Sequence, residues 1–161
     1  MCNFAQTLGT ACLESRFLHG TFSGQEQVES LNVSPVILVV EDDPILQGLV
    51  EDALAEGGFE AAVAPSAEEA ITLLKSNTKP YRALVIDISL KGKMNGWEVA
   101  KHARLIDPSF PVVYTTGNAA DQWPALGVPN SILLEKPFAP AQLITAVSQL
   151  LNAGSTASFG V

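Results

Sequence analysis

The chain has 161 residues, 47% of them hydrophobic and 16% charged, with a formal net charge of −8. That size and apolar share fit one globular domain with a sizeable core, neither two domains nor a disordered chain. The acidic balance argues against direct nucleic-acid binding, which needs a basic face, and the two cysteines, Cys2 and Cys12, lie too near the start to build a disulfide framework or thiolate metal cluster in a core.

Residues 1–33 mix Gly, Ser, Thr, Gln and Asn with scattered apolar residues and show no sustained period. They read as a poorly ordered N-terminal extension, with a short helix around residues 13–18, and lack the basic start and apolar stretch of a secretory signal. From Pro35 the pattern changes. Val36-Ile37-Leu38-Val39-Val40 is the continuous apolar run of a strand buried on both faces. Asp43-Pro44 supplies an N-cap and a first-turn proline, and Ile45, Leu46, Leu49, Val50, Ala53 and Leu54 recur at helical spacing until Gly57-Gly58. Phe59–Ala64 is a second, weaker strand. Ser66 with Glu69 reads as a capping box, opening a helix whose inner face is Ala67, Ala70, Ile71 and Leu74.

The alternation continues through strand Ala83–Ile86, a helix over Gly96–Ile106 and strand Val112–Thr115. The next helix, around Ala119–Leu126, is short, is broken by Pro124 and is expected to be the least stable. Strand Ile132–Leu134 precedes a final helix from Pro140, with Leu143, Ala146, Val147 and Leu150 facing inward. The domain is placed at 34–152, with 153–161 a flexible tail. No apolar run of about 18 residues spans a membrane, so a cytoplasmic location is expected. Five strand–helix units in strict alternation predict an α/β fold with helices on both faces of a parallel sheet, in the flavodoxin-like order 2-1-3-4-5.

In such a sheet, ligands bind at the carboxyl ends of the strands, near the switch point between strands 1 and 3. Strand 1 ends in Glu41-Asp42-Asp43, strand 3 in Asp87, strand 4 in Thr115-Thr116, and strand 5 in Glu135-Lys136-Pro137. Taken singly, each has a plain structural role: Asp43 a helix cap, Glu41 and Asp42 a solvated turn, Asp87 a loop cap, Thr116 a strand end, Lys136 a surface lysine. Together at one edge they form an oxygen-only acidic site beside a lysine. Carboxylates crowded at about 4 Å repel by several kcal/mol, so a hard divalent cation, Mg²⁺, is the expected cofactor. A carboxylate held between Mg²⁺ and lysine is a nucleophile toward phosphorus, with Lys136 neutralising charge and Thr116 donating a hydrogen bond.

Val39-Val40-Glu41-Asp42-Asp43-Pro44, Leu84-Val85-Ile86-Asp87, Met94-Asn95-Gly96-Trp97-Glu98, Thr115-Thr116-Gly117 and Lys136-Pro137-Phe138 resemble, in order and spacing, the landmarks of response-regulator receiver domains over residues 35–152. The resemblance implies that Asp87 accepts phosphate from a histidine kinase or histidine phosphotransfer protein. It implies Asp42 as a direct Mg²⁺ ligand, Glu41 as a ligand through water, and the Ser89 backbone carbonyl as a further ligand. It also implies that Thr116 moves to the phosphoryl group, that Lys136 pairs with a phosphoryl oxygen before a cis Pro137, and that Gly117 leaves room. The pattern departs in two places. Leu90-Lys91-Gly92-Lys93 replaces the usual Met-Pro and lengthens the loop by one residue, and Leu133 stands where receivers often carry an aromatic.

The expectation is a stand-alone receiver that turns over no external substrate and signals by contact through the face of helix 4, strand 5 and helix 5, binding neither nucleic acid nor membrane. Ser89 and Asn118 are expected to set the lifetime of the acyl phosphate. An alternative is a receiver-fold interaction module acting without phosphorylation. A haloacid-dehalogenase-type phosphatase needs a second acid where Ser89 stands, and an FMN-binding flavodoxin needs a hydroxyl-rich loop where Glu41-Asp42-Asp43 stands.

Overall fold

The computed structural model describes residues 33–156; the readings made for residues 1–32 and for the last five residues of the tail lie outside them. The elements in order are β1 (Val36–Val40), α1 (Pro44–Glu56), β2 (Glu60–Ala64), α2 (Ala67–Ser76), β3 (Tyr81–Asp87), α3 (Gly96–Ile106), β4 (Val112–Thr116), a 3₁₀ turn (Ala120–Gln122) leading into α4 (Trp123–Leu126), β5 (Ile132–Glu135) and α5 (Pro140–Thr156). All strand pairs are parallel and the sheet order is β2-β1-β3-β4-β5, as the alternation of elements predicts.

The unbroken apolar runs follow from two-sided burial. Successive strand residues point to opposite faces. Leu38, Val40, Leu84, Ile86, Val112 and Tyr114 therefore pack on α2 and α3, while Ile37, Val39, Ala83, Val85 and Val113 pack on α1 and α5. Each fully buried Leu or Ile contributes about 1.5–3 kcal/mol. This rigid sheet holds the strand ends in register.

The helix ends are set by short-range chemistry. Asp43 Oδ1 accepts from the amides of Ile45 (2.8 Å) and Leu46 (3.4 Å) to start α1, and Gly58 leaves it at φ +83°. Ser66 Oγ accepts from the Glu69 amide at 3.2 Å, but the complete reciprocal box forms at α3, between Asn95 and Glu98.

Three sequence readings are corrected. Ile45 and Leu49 do not join the core: they are 75% and 60% exposed, and α1 buries Val50, Ala53 and Leu54 instead. Pro124 does not break its helix but sits in the first turn of α4, where its missing N–H leaves no intrahelical bond unmade. Finally, α5 runs past residue 152 to Thr156, so the first part of the expected tail is helical. No described helix is long and apolar enough to cross a membrane.

Candidate functional site

The parallel register brings the carboxyl ends of β1, β3, β4 and β5 to one edge. Val40 pairs with Ile86, so Glu41 and Asp87 leave adjacent strands side by side. Asp87 pairs with Thr115, and Thr116 with Glu135, which delivers Lys136 to the same edge. The Lys136 amide donates to the Thr116 carbonyl at 2.7 Å, and the Lys136-Pro137 peptide is cis.

Four of the anticipated side chains meet there. Lys136 Nζ lies 3.0 Å from Glu41 Oε2 and 3.2 Å from Asp87 Oδ2. Glu41, Asp42 and Asp87 each offer a carboxylate oxygen, all within 4.8 Å of one another. Glu41 and Asp87 are buried and Asp42 half-buried. Three carboxylates against one ammonium leave a net negative cluster, and a divalent cation would bring it to neutrality. The oxygen-only donor set and the spacing fit Mg²⁺. Both Glu41 oxygens already have donors, the Asp43 amide at 3.2 Å and Lys136, which suits a ligand acting through water.

The electrostatics bear the marks of this crowding. Burial pushes the Glu41 carboxyl above its ordinary value, against the opposing hydrogen bonds of Lys136 and the Asp43 amide. Burial also acts to raise Asp42, but the Lys91 amide, Glu41 and its own amide outweigh it and hold Asp42 below the usual range. Lys136 is drawn down by burial, yet the Glu41 hydrogen bond and the charges of Asp87 and Glu41 keep it above an ordinary lysine.

Thr116 and Ser89 are placed differently. Thr116 is wholly buried at the end of β4, and its hydroxyl oxygen accepts from the amides of Asn118 (3.2 Å) and Ala119 (2.9 Å). It thus holds the segment leading to α4. Ser89 is exposed in the β3–α3 loop, and its amide donates to Asp87 Oδ1 at 3.1 Å. Asn118 and Gly117 are exposed, and nothing lies within 4 Å of where a Gly117 Cβ would project.

The geometry adds residues that sequence reasoning did not single out. Lys91, in the lengthened loop, donates its backbone amide to Asp42 Oδ2 at 2.9 Å. Gly96 brings the start of α3 against the acceptor strand: a Cβ there would meet the Asp87 carbonyl oxygen at 2.5 Å and Ile88 Cα at 2.8 Å. The Gly96 amide donates to the Ile88 carbonyl at 3.1 Å. Gln47 Nε2 donates to the Glu41 carbonyl at 2.7 Å. Ile45 and Leu49 expose apolar surface on α1, and a cavity of about 400 Å³ lined by Leu46, Leu49, Pro137 and Phe138 opens onto Glu41 and Lys136. The helical period of α1 carried the apolar signal; which of its residues face solvent depends on what packs against the helix, outside any local pattern.

Leu133, the other departure, pairs across the sheet with Tyr114. Tyr114 is fully buried, its ring centroid 4.8 Å from that of Trp97, and its hydroxyl accepts from the Val128 amide at 3.2 Å. An aromatic is present beside this position, one strand inward.

Comparison with known proteins agrees with this geometry. The family model of the response regulator receiver domain matches residues 37–148. The chain is 33% identical over 128 residues to the transcriptional regulatory protein PrrA of Mycobacterium tuberculosis, covering 78% of this chain and 54% of that protein. It is 32% identical over 123 residues to the probable transcriptional regulatory protein SilR of Salmonella typhimurium, covering 74% and 52%. The chain thus spans about half the length of these curated relatives. Among solved structures, a response regulator receiver protein from Sinorhizobium medicae shares 48% identity at a TM-score of 0.72, over 74% of this chain and 96% of that one. A putative response regulator from Chloroflexus aurantiacus shares 28% at 0.66, over 74% and 99%. With its sheet order, its acidic edge and a family match over most of its length, this chain belongs to the response regulator receiver family.

Proposed function

We propose that this receiver takes a phosphoryl group onto Asp87 from the phosphohistidine of a sensor histidine kinase or histidine phosphotransfer protein. An Asp87 oxygen forms the new P–O bond as the P–N bond breaks, and the electron pair stays on the imidazole nitrogen, which takes up a proton from solvent. The observation that carries this reading is Lys136 bridging Glu41 and Asp87 at 3.0 and 3.2 Å with Asp42 alongside. Asp42, Asp87 and the Ser89 carbonyl would hold Mg²⁺ directly, and Glu41 through water. Bound there, Mg²⁺ supplies neutralising charge to the phosphoryl oxygens. Lys136, 3.2 Å from Asp87 Oδ2, meets the incoming charge and orients the acceptor carboxylate. Thr116 turns its hydroxyl toward the phosphoryl group, which loosens its hold on the Asn118 and Ala119 amides and biases α4 between two positions.

The exposed Ile45 and Leu49, beside the site, suit the apolar side of the phosphodonor's histidine-bearing helix. The downstream target is a protein that reads the face of α4, β5 and α5. The receiver turns over no external substrate, acts by contact in the cytoplasm and binds neither nucleic acid nor membrane. The net charge of −8 supports the first of those exclusions. Ser89 and Asn118, exposed at the rim, set the lifetime of the acyl phosphate.

The test is incubation with acetyl phosphate and Mg²⁺, followed by intact mass measurement. Wild type gains one phosphoryl group and Asp87→Asn gains none; equal modification of both would refute the reading. Leu133 on β5, opposite Tyr114, favours a second reading in which partner contact does not follow phosphorylation. Equal partner capture by wild type and Asp87→Asn would select it.

A further inference from the structure

The loop between β3 and α3 does more than connect them. Its backbone amides reach two acids of the cluster: Ser89 N–H bonds Asp87 Oδ1 at 3.1 Å, and Lys91 N–H bonds Asp42 Oδ2 at 2.9 Å across 49 residues of sequence. One oxygen of each carboxylate is thereby committed to a main-chain donor, which has no rotamer freedom once the loop is fixed. The next residue, Gly92, has φ +121°, a conformation that costs an L-residue heavily. Space is not the obstacle there. The nearest atoms to a Gly92 Cβ are the Glu68 carboxylate oxygens, at 3.8 and 4.0 Å. Backbone conformation alone favours glycine there, in the turn that directly follows the Lys91 amide.

Pinning one oxygen matters because cations differ in what they ask of a carboxylate. Mg²⁺ demands near-octahedral geometry and takes single oxygens, whereas Ca²⁺ accepts six to eight ligands and readily takes both oxygens of one carboxylate. We infer that the Lys91 amide and Gly92 are positioning elements that hold Asp42 as a one-oxygen ligand, so that the cluster prefers Mg²⁺ over Ca²⁺. The inference rests on the reading of the cluster as a divalent-cation site. It concerns the backbone of the lengthened loop rather than the ligands themselves.

The test is calorimetric titration of the full chain with MgCl₂ and, separately, CaCl₂. Lys91→Pro removes the amide hydrogen, Gly92→Ala strains the turn, and Lys91→Ala keeps the amide while removing the charge. Losing such an outer-shell partner typically weakens metal binding 10–100-fold. The expected result is a loss of at least about tenfold in Mg²⁺ affinity in Lys91→Pro and Gly92→Ala, with Ca²⁺ affinity kept and no loss of Mg²⁺ affinity in Lys91→Ala, which removes only a positive charge acting on Asp42. Unchanged Mg²⁺ affinity, or equal losses for both ions, would overturn the inference. Should the two loop variants not fold, amide exchange in wild type decides: the Lys91 amide stays protected when Mg²⁺ is bound, and exchange at the rate of a free amide overturns the proposal. A wild type that binds no Mg²⁺ overturns the functional reading beneath it, an outcome distinct from a failure confined to the variants.

Discussion

Replacing Lys136 with methionine removes the ammonium that, among the described residues, pairs with the two buried carboxylates, while keeping most of the side chain's bulk. At 3.0 and 3.2 Å, an effective dielectric of about 20 gives an attraction of about 5 kcal/mol for each contact. Most of this is offset by the cost of taking the three groups out of water. What the mutation exposes is the penalty of leaving Glu41 and Asp87, whose side chains are 5% and 8% exposed, without a partner. That penalty is about 3–5 kcal/mol. Urea unfolding at pH 7 without divalent ions then shows a midpoint lowered by about 1–3 M, with the slope unchanged. Two further signs separate this cause from lost packing. Burial already raises the folded-state pKa of Glu41, and losing Lys136 raises it more. A folded pKa above the unfolded one means the native state binds the extra proton. Lys136→Met therefore recovers stability as pH falls through the raised folded value toward 4.5. Millimolar Mg²⁺ replaces the missing positive charge and narrows the gap to wild type. A loss that ignored both pH and Mg²⁺ would refute the electrostatic account of the cluster.

Other consequences follow from single contacts. Gly96→Ala drives a methyl group into the Asp87 carbonyl oxygen; thermal unfolding should show a loss of about 1–3 kcal/mol, with slower phosphorylation by acetyl phosphate. Tyr114→Phe leaves the buried Val128 amide unpaired and costs about 1–3 kcal/mol in chemical denaturation. Leu49→Ser, at a position 60% exposed, changes stability by less than about 0.5 kcal/mol. It slows phosphotransfer from a histidine kinase while leaving the rate with acetyl phosphate unchanged. If both rates fell together, α1 would not be the docking face.

How far the sequence carries can be traced through particular residues. Val36–Val40 and Ala83–Ile86 announce central strands because both faces are buried, and so every residue is apolar. Once the strands are ordered, Glu41, Asp87 and Lys136 fall together of necessity, since each directly follows or ends a strand of a parallel sheet. The fold and the charged heart of the site are thus local patterns plus one topological rule. What stayed hidden depends on three-dimensional closeness without a local pattern. The Lys91 amide meets Asp42 through its backbone, and a main-chain donor leaves no trace in residue type. Ile45 and Leu49 share the apolar helical period of α1, yet the helix buries Val50, Ala53 and Leu54, and what lies against each of its faces is not written in that period. Pro124 looked like a break because its place within the turn, which decides whether its missing N–H matters, is set by the 3₁₀ segment before it.

The most direct test of the central claim is to locate the phosphoryl group itself. After brief incubation with a phosphodonor and Mg²⁺, borohydride reduction converts an acyl phosphate to an alcohol, and peptide mapping then reads the position. The account predicts homoserine at position 87 only when donor and Mg²⁺ are both present. Reduction at Asp42, or an unreduced Asp87 under those conditions, would contradict it.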